Sequence, residues 1–142
     1  MTTGKNYIGN QLSAKGSKTF KTFNPELNKE NDVVYTEASS EEIETALALA
    51  SAAFLEFRTI PGVKKAKFLN AIADEILALG DELITTYCAE SGLPQGRAEG
   101  ERGRTIGQLK SFANIVVAGS WVEATIDTAQ PNREPMPKSD IR

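Results

Sequence analysis

Residues 39–54 read Ser39-Ser40-Glu41-Glu42-Ile43-Glu44-Thr45-Ala46-Leu47-Ala48-Leu49-Ala50-Ser51-Ala52-Ala53-Phe54, and this stretch sets the fold class. Ser39 followed three residues later by Glu42 is a capping box, in which each side chain satisfies a backbone N–H at the start of a helix. Ile43, Leu47, Ala50 and Phe54 then recur at helical spacing and put an apolar stripe on one face. The alanines at 46, 48, 50, 52 and 53 raise helix propensity and leave room for another helix to approach. Glu41, Glu42 and Glu44 resemble a carboxylate cluster, but in a first turn they are expected to cap the helix and face solvent. Arg58-Thr59-Ile60 closes the element.

Three more helices follow toward the C-terminus. Pro61 suits a first turn, and Val63, Phe68, Leu69, Ile72, Ile76 and Leu79 form the apolar set of the second helix, which Gly80 breaks. Asp81 is expected to cap a third helix running through Leu83, Ile84, Tyr87 and Cys88. Gly92 is expected as its left-handed terminator, with Pro94 two positions later. The fourth helix spans about 95–118. Its first half is charged and holds Gly100, Gly103 and Gly107; its second half is apolar through Ile106, Leu109, Phe112, Ala113, Val116 and Val117. Each glycine costs about 1 kcal/mol against alanine, so three within eight residues predict close approach of something to that backbone. Gly119 ends the helix.

Toward the N-terminus, residues 6–25 predict a hairpin. Tyr7-Ile8 and Leu12 lie before a turn at 13–17, and Thr19-Phe20-Lys21-Thr22-Phe23 alternates after it. Asn24-Pro25 ends the second strand, because proline cannot donate to a ladder. Residues 26–32 read as polar loop, and Val33-Val34-Tyr35 as a short third strand. At the other end, Trp121-Val122-Glu123-Ala124-Thr125-Ile126 alternates as a strand. Pro131, Pro135 and Pro137 make the tail an extended linker. Gly4-x-x-x-x-Gly9 is not a phosphate loop, since no Gly-Lys-Ser/Thr follows and a hairpin stands where a helix is needed.

Composition narrows the chemistry. The 142 residues carry a net charge of −3, against the basic excess of nucleic-acid binders, so no nucleic-acid partner is expected. There is no histidine and one cysteine, Cys88. Histidine-dependent nucleophilic catalysis and a zinc site are therefore excluded, and Cys88 is expected as a small buried apolar residue. No apolar run approaches the roughly 20 residues of a membrane helix. With no signal-peptide pattern at the start, a cytoplasmic location is expected.

The order and spacing of several stretches resemble the aldehyde dehydrogenase superfamily across almost the whole chain. They are Tyr7-Ile8-Gly9-Asn10, Phe23-Asn24-Pro25, Ala38 through Ile43 leading to Ala52-Ala53-Phe54, Lys65 through Leu69, Ile72 through Ile76 and Glu90-Ser91-Gly92-Leu93-Pro94. Gly100-Glu101-Arg102-Gly103-Arg104-Thr105, Gln108-Leu109, Phe112-Ala113, Gly119-Ser120-Trp121-Val122 and Pro135-Met136-Pro137-Lys138 resemble more narrowly the branch that oxidises 2-oxoglutarate semialdehyde. Phe57 stands where the family usually has tryptophan, and Leu93 departs from its usual Gly-Lys-Pro.

The resemblance implies an α/β fold with a Rossmann-type nucleotide domain. This chain would be a mostly α portion: about four helices, an N-terminal β-hairpin and a C-terminal strand, without the nucleotide-binding sheet. It implies residues 1–118 as the first part of the NAD(P)-binding domain and 119–142 as the start of an oligomerisation arm and linker. Trp121 would be a packing anchor there. The complete enzyme would be a homo-oligomer, dimer or tetramer, using NAD or NADP. A cysteine thiolate would attack the aldehyde, hydride would pass to the cofactor, and a glutamate would activate water. The family's catalytic and cofactor-binding residues lie downstream of this sequence, so the chain is expected to hold no catalytic, cofactor or metal site and to be inactive alone.

The family's equivalent of the fourth helix passes near the substrate tunnel. Arg104, with Gln108 and Phe112 continuing its face, are accordingly candidate tunnel residues, since an arginine fork suits a carboxylate-bearing substrate. The structural alternative for Arg97, Glu99, Glu101, Arg102 and Arg104 is a network of surface ion pairs, each contributing little. A rival to the enzyme-portion reading is a non-catalytic helical module that binds another chain. The tail stopping after a proline linker favours a truncated enzyme.

Overall fold

The computed structural model describes residues 2–124 and 127–141. Four short strands precede four helices: β1 (Asn6–Ile8), β2 (Gln11–Ser13), β3 (Thr19–Asn24), β4 (Lys29–Thr36), α1 (Ser40–Phe57), α2 (Gly62–Ala78), α3 (Gly80–Ser91) and α4 (Gln95–Ala118). A single 3-10 turn, Ser120–Val122, follows α4. The described residues form a mostly helical segment with two small antiparallel hairpins and no closed sheet.

Two hairpins replace the one expected. β1 pairs with β2 through Gly9-Asn10, with Tyr7 opposite Leu12. Of those two residues only Gly9 has positive φ, +60°, as a type II′ connection requires. The predicted turn at 13–17 is instead pinned to the start of α1. The Glu42 carboxylate accepts from the Ser13 hydroxyl and from the Lys15 N–H, 3.1 Å away.

β3 and β4 form the second hairpin, with Phe20 opposite Tyr35 and a bulge between Lys21 and Phe23. Their rings stack at 5.5 Å. The connecting turn is built by buried Asn24, whose Oδ1 accepts from the N–H groups of Glu26 and Leu27 at 3.1 and 3.0 Å. β4 thus absorbs Lys29-Glu30-Asn31-Asp32, which composition alone assigned to loop. Asn31 explains the extension, since its amide donates to Thr22 Oγ1 across the hairpin and to Ala89 O at the end of α3. Tyr35 donates to Glu90 at 3.1 Å and ties the same sheet to α3.

The helices begin and end near the predicted residues. Ser39 caps α1, its hydroxyl accepting from Glu42 N–H while Glu42 accepts from Ser39 N–H. Gly92 and Gly119 end α3 and α4 in the left-handed region, at φ +68° and +69°. Asp81 does not cap α3: the helix already starts at Gly80, directly after α2, and Asp81 sits in its first turn.

α2 and α4 run antiparallel in close contact. Gly62 at the start of α2 lies against the Val116 carbonyl near the end of α4, while Arg102 in the first half of α4 donates to Gly80 O beyond the end of α2. Small residues make this possible. The buried apolar residues are Ala66, Ala73, Ile84, Ala98 and Ala113, so four of five are alanines and the described residues enclose little apolar volume. The stripe of α1 stays open: Ile43, Leu47 and Phe54 are each at least half exposed.

The C-terminal strand expected over Trp121–Ile126 is not formed as drawn. Residues 120–122 make the 3-10 turn, Glu123 takes φ +51°, and Thr125 and Ile126 lie outside the described residues. The glycine before the turn and the left-handed residue after it both reverse the chain. The tail is not simply extended either. It folds back through isolated bridges, Asp127 with Ile141 and Gln130 with Lys138, and Lys138 reaches Asp127 at 3.3 Å.

Two stability predictions follow from the α1 cap. Ser39→Ala should destabilise the chain by about 1 kcal/mol in urea unfolding. Glu42 is held below the usual carboxylate range, chiefly by the Ser13 hydroxyl and then by the Ser39 N–H. Its stabilisation is therefore present above the unfolded-state value and lost as pH falls through the lower folded value. Glu42→Gln should lower the urea midpoint clearly at pH 7. The gap to the parent should shrink below about pH 4; a gap that stays constant with pH would show that Glu42 acts uncharged.

Candidate functional site

Helix α4 carries most of the charge that sequence reading singled out, and its length sorts those charges onto different faces. Arg102 points toward the α2–α3 junction and is a structural tie, its Nη1 donating to Gly80 O at 3.2 Å. Glu99 accepts from Gln95 at 2.9 Å. Arg97 and Arg104 both meet Glu101, at 2.6 and 3.7 Å. The expected ion-pair network forms in part: Glu101 joins Arg97 and Arg104, while Glu99 and Arg102 are turned to Gln95 and the Gly80 carbonyl.

Arg104, Gln108 and Phe112 do come together. With Gly107 and Ser111 they line one shallow, open depression on α4. Arg104 is 73% exposed and Phe112 is more than half exposed. A β-carbon built at Gly100, Gly103 or Gly107 would meet nothing within 4 Å. The close approach expected at these glycines is therefore not made by any described residue, and this side of α4 is bare backbone beside an arginine, an amide and an aromatic ring. Such a surface can hold an anion through the guanidinium fork and the amide, with the ring against an apolar chain.

The other candidates resolve as structure. Glu42 belongs to the α1 cap, and Glu41 is held below its usual range chiefly by its own backbone N–H. Cys88 is half-buried in a hollow that it shares with Glu26, Asp81, Ile84 and Leu93 and that contains no basic side chain. Trp121 is largely exposed. An apolar hollow that the sequence reading did not single out lies between α2, α3 and α4, lined by Ile76, Leu79, Leu83, Tyr87 and Ala98. Its residues belong to three separate helical stripes, so no single periodicity reveals it.

Among the described residues no group of three or more His, Cys, Asp or Glu side chains is placed to hold a metal ion. No described helix is long and apolar enough to cross a membrane. A dinucleotide needs a helix N-terminus with free N–H groups beside a glycine-rich turn. The start of α1 does not fit, because the Glu42 carboxylate already occupies it. α2 and α4 each follow a proline, at Pro61 and Pro94, and neither is fed by a strand.

Comparison with known proteins gives a consistent result. Residues 12–136 match the family described as "Aldehyde dehydrogenase family". The alpha-ketoglutaric semialdehyde dehydrogenase 2 of Azospirillum brasilense is 46% identical over 141 residues, 99% of this chain and 27% of the relative. The alpha-ketoglutaric semialdehyde dehydrogenase of Acinetobacter baylyi is 35% identical over 98% of this chain and 26% of the relative. The crystal structure of a NAD-dependent benzaldehyde dehydrogenase from Corynebacterium glutamicum superposes with TM-score 0.72 at 18% identity, covering 95% of this chain and 28% of that one. The chain thus spans about a quarter of the length of the curated relatives it matches.

Proposed function

The chain belongs to the aldehyde dehydrogenase family, and from that premise we propose that it is the N-terminal portion of an enzyme oxidising 2-oxoglutarate semialdehyde to 2-oxoglutarate with NAD or NADP. The observation that carries the reading is the 46% identity, over nearly the whole chain, to a relative named for that semialdehyde. The open stripe of α1 and the alanine-sized core support the view that further polypeptide completes this fold. Residues 1–118 are then the first part of the nucleotide domain, and 119–142 the start of an oligomerisation arm in a dimer or tetramer. A cytoplasmic location accompanies this reading.

In this reading the chain contributes substrate recognition and no catalytic group. The starts of α1, α2 and α4 do not fit the dinucleotide, so no step is assigned to these residues through it. Arg104 and Gln108 would meet the substrate's carboxylate, and Phe112 its carbon chain. The test is kinetic, on the longer enzyme. Arg104→Ala should raise KM for the 2-oxo acid semialdehyde about 10- to 100-fold, the loss of a charged hydrogen bond, while KM for a neutral aldehyde of equal length stays near the parent value. An equal change for both substrates, or none for either, would remove α4 from the substrate path.

A further inference from the structure

Arg97, Glu101 and Arg104 stand at i, i+4 and i+7 on α4, so one helix face presents two arginines with a carboxylate between them. Each oxygen of that carboxylate has its own partner. Oε1 lies 2.6 Å from Arg97 Nη2, a close ion pair. Oε2 lies 3.7 Å from Arg104 Nη1, near enough for attraction and too far for a hydrogen bond. Glu101 is the least exposed of the three, at 31% of its side chain against 62% and 73% for the arginines.

The asymmetry has a physical consequence. Arg97 is the nearer partner, so Glu101 stays paired when the Arg104 guanidinium turns toward an anion. Arg104 feels a charge that restrains its long side chain beside the depression it shares with Gln108 and Phe112, yet it does not spend its N–H groups there. A flexible arginine loses rotamer freedom when it binds an anion, and partial restraint beforehand reduces that loss. A direct hydrogen bond from Glu101 would do the opposite and compete with the incoming carboxylate.

We propose that Glu101, anchored by Arg97, is a positioning residue that holds the Arg104 guanidinium ready for the carboxylate of a carboxylate-bearing aldehyde. This rests on the assignment of Arg104 to substrate recognition made above. The role is specific to charged substrates, because an uncharged aldehyde draws nothing from the guanidinium. It also gives Arg97 a part at a distance: without it, both Glu101 oxygens turn to Arg104 and mask it.

The longer enzyme carrying Glu101→Gln, Glu101→Asp, Arg97→Gln or Arg104→Ala is assayed with 2-oxoglutarate semialdehyde and with a neutral aldehyde of equal length. Glu101→Gln should raise KM for the semialdehyde about two- to fivefold, the range of an exposed ion pair, with kcat unchanged and the neutral substrate unaffected. Glu101→Asp should recover part of that loss. Arg97→Gln should raise the same KM, and combining it with Glu101→Gln should add nothing. Thermal unfolding of each variant checks that the helix is intact. If Arg104→Ala raises KM for the charged substrate and Glu101→Gln does not, the positioning role is overturned and the recognition reading stands. If Arg104→Ala has no selective effect, the recognition reading itself fails. Equal effects of Glu101→Gln on both substrates would reduce Glu101 to a structural ion pair and also overturn the proposal.

Discussion

The 142-residue chain alone should generate no NADH or NADPH from any semialdehyde. The reasoning is chemical. Aldehyde oxidation by this family needs an activated nucleophile, and the chain's single thiol, Cys88, lies half-buried in a hollow with two acids and no base. No histidine is present to act in its place. The start of α1 is filled by the Glu42 carboxylate, and those of α2 and α4 are not fed by a strand. Enzymatic accelerations begin near a millionfold, so the expected loss against the longer enzyme is total within detection. The same sample should self-associate in sedimentation and bind a hydrophobic dye, since Leu47, Phe54 and Leu55 are all more than half exposed. Measurable turnover by the isolated chain would defeat the enzyme-portion reading. A stable monomer without turnover would favour the rival, a self-sufficient interaction module.

Gly62→Ala should unfasten α2 from α4. A β-carbon at residue 62 would sit 2.1 Å from the Val116 carbonyl oxygen and 3.0 Å from its carbon. The obstacle is backbone, which cannot rotate aside as a side chain can. One helix must shift, and the alanine contacts at Ala66 and Ala113 shift with it. The expected cost is at least about 2 kcal/mol in urea unfolding, a large share of a typical domain's stability. Gly100→Ala is the matched control in the isolated chain, because nothing lies within 4 Å of its new methyl group. It should stabilise by up to about 1 kcal/mol through helix propensity. Equal urea midpoints for Gly62→Ala and the parent would mean that the two helices do not touch there.

The helices were legible because their signals are local. Ser39 with Glu42, Gly92 and Gly119 each mark an end through their own backbone chemistry, and the structure places ends at or beside them. The hairpins were less legible because their register depends on distant partners. Gly9-Asn10 is a turn signal within two residues, but the run Ser13–Ser17 looked like a better one until Glu42 drew it onto α1. Likewise β4 gains four polar residues through long-range contacts: Lys29 and Glu30 pair with Asn24 and Phe23, and Asn31 donates to Thr22 and Ala89. At the candidate site, the spacing of Arg104, Gln108 and Phe112 puts them on one helix face, and they line one open depression there. It could not show which arginine Glu101 holds closely, since the spacings to Arg97 and Arg104 both permit a pair. The apolar stripe of α1 was real, but periodicity says only that a face is apolar, not that the chain supplies its cover.

The link between Glu42 and the first hairpin also orders events in time. A two-stranded pair of three residues each does not persist alone in water, and β1–β2 is anchored through Ser13 and Lys15 to a residue 29 and 27 positions later. On the ribosome the hairpin's residues emerge before β4 and α1; Asn6 can donate to Thr36 O once β4 is out, and Ser13 and Lys15 reach Glu42 only when the opening turn of α1 has followed. Residues made ahead of α1 thus wait for it before the last of their anchors closes.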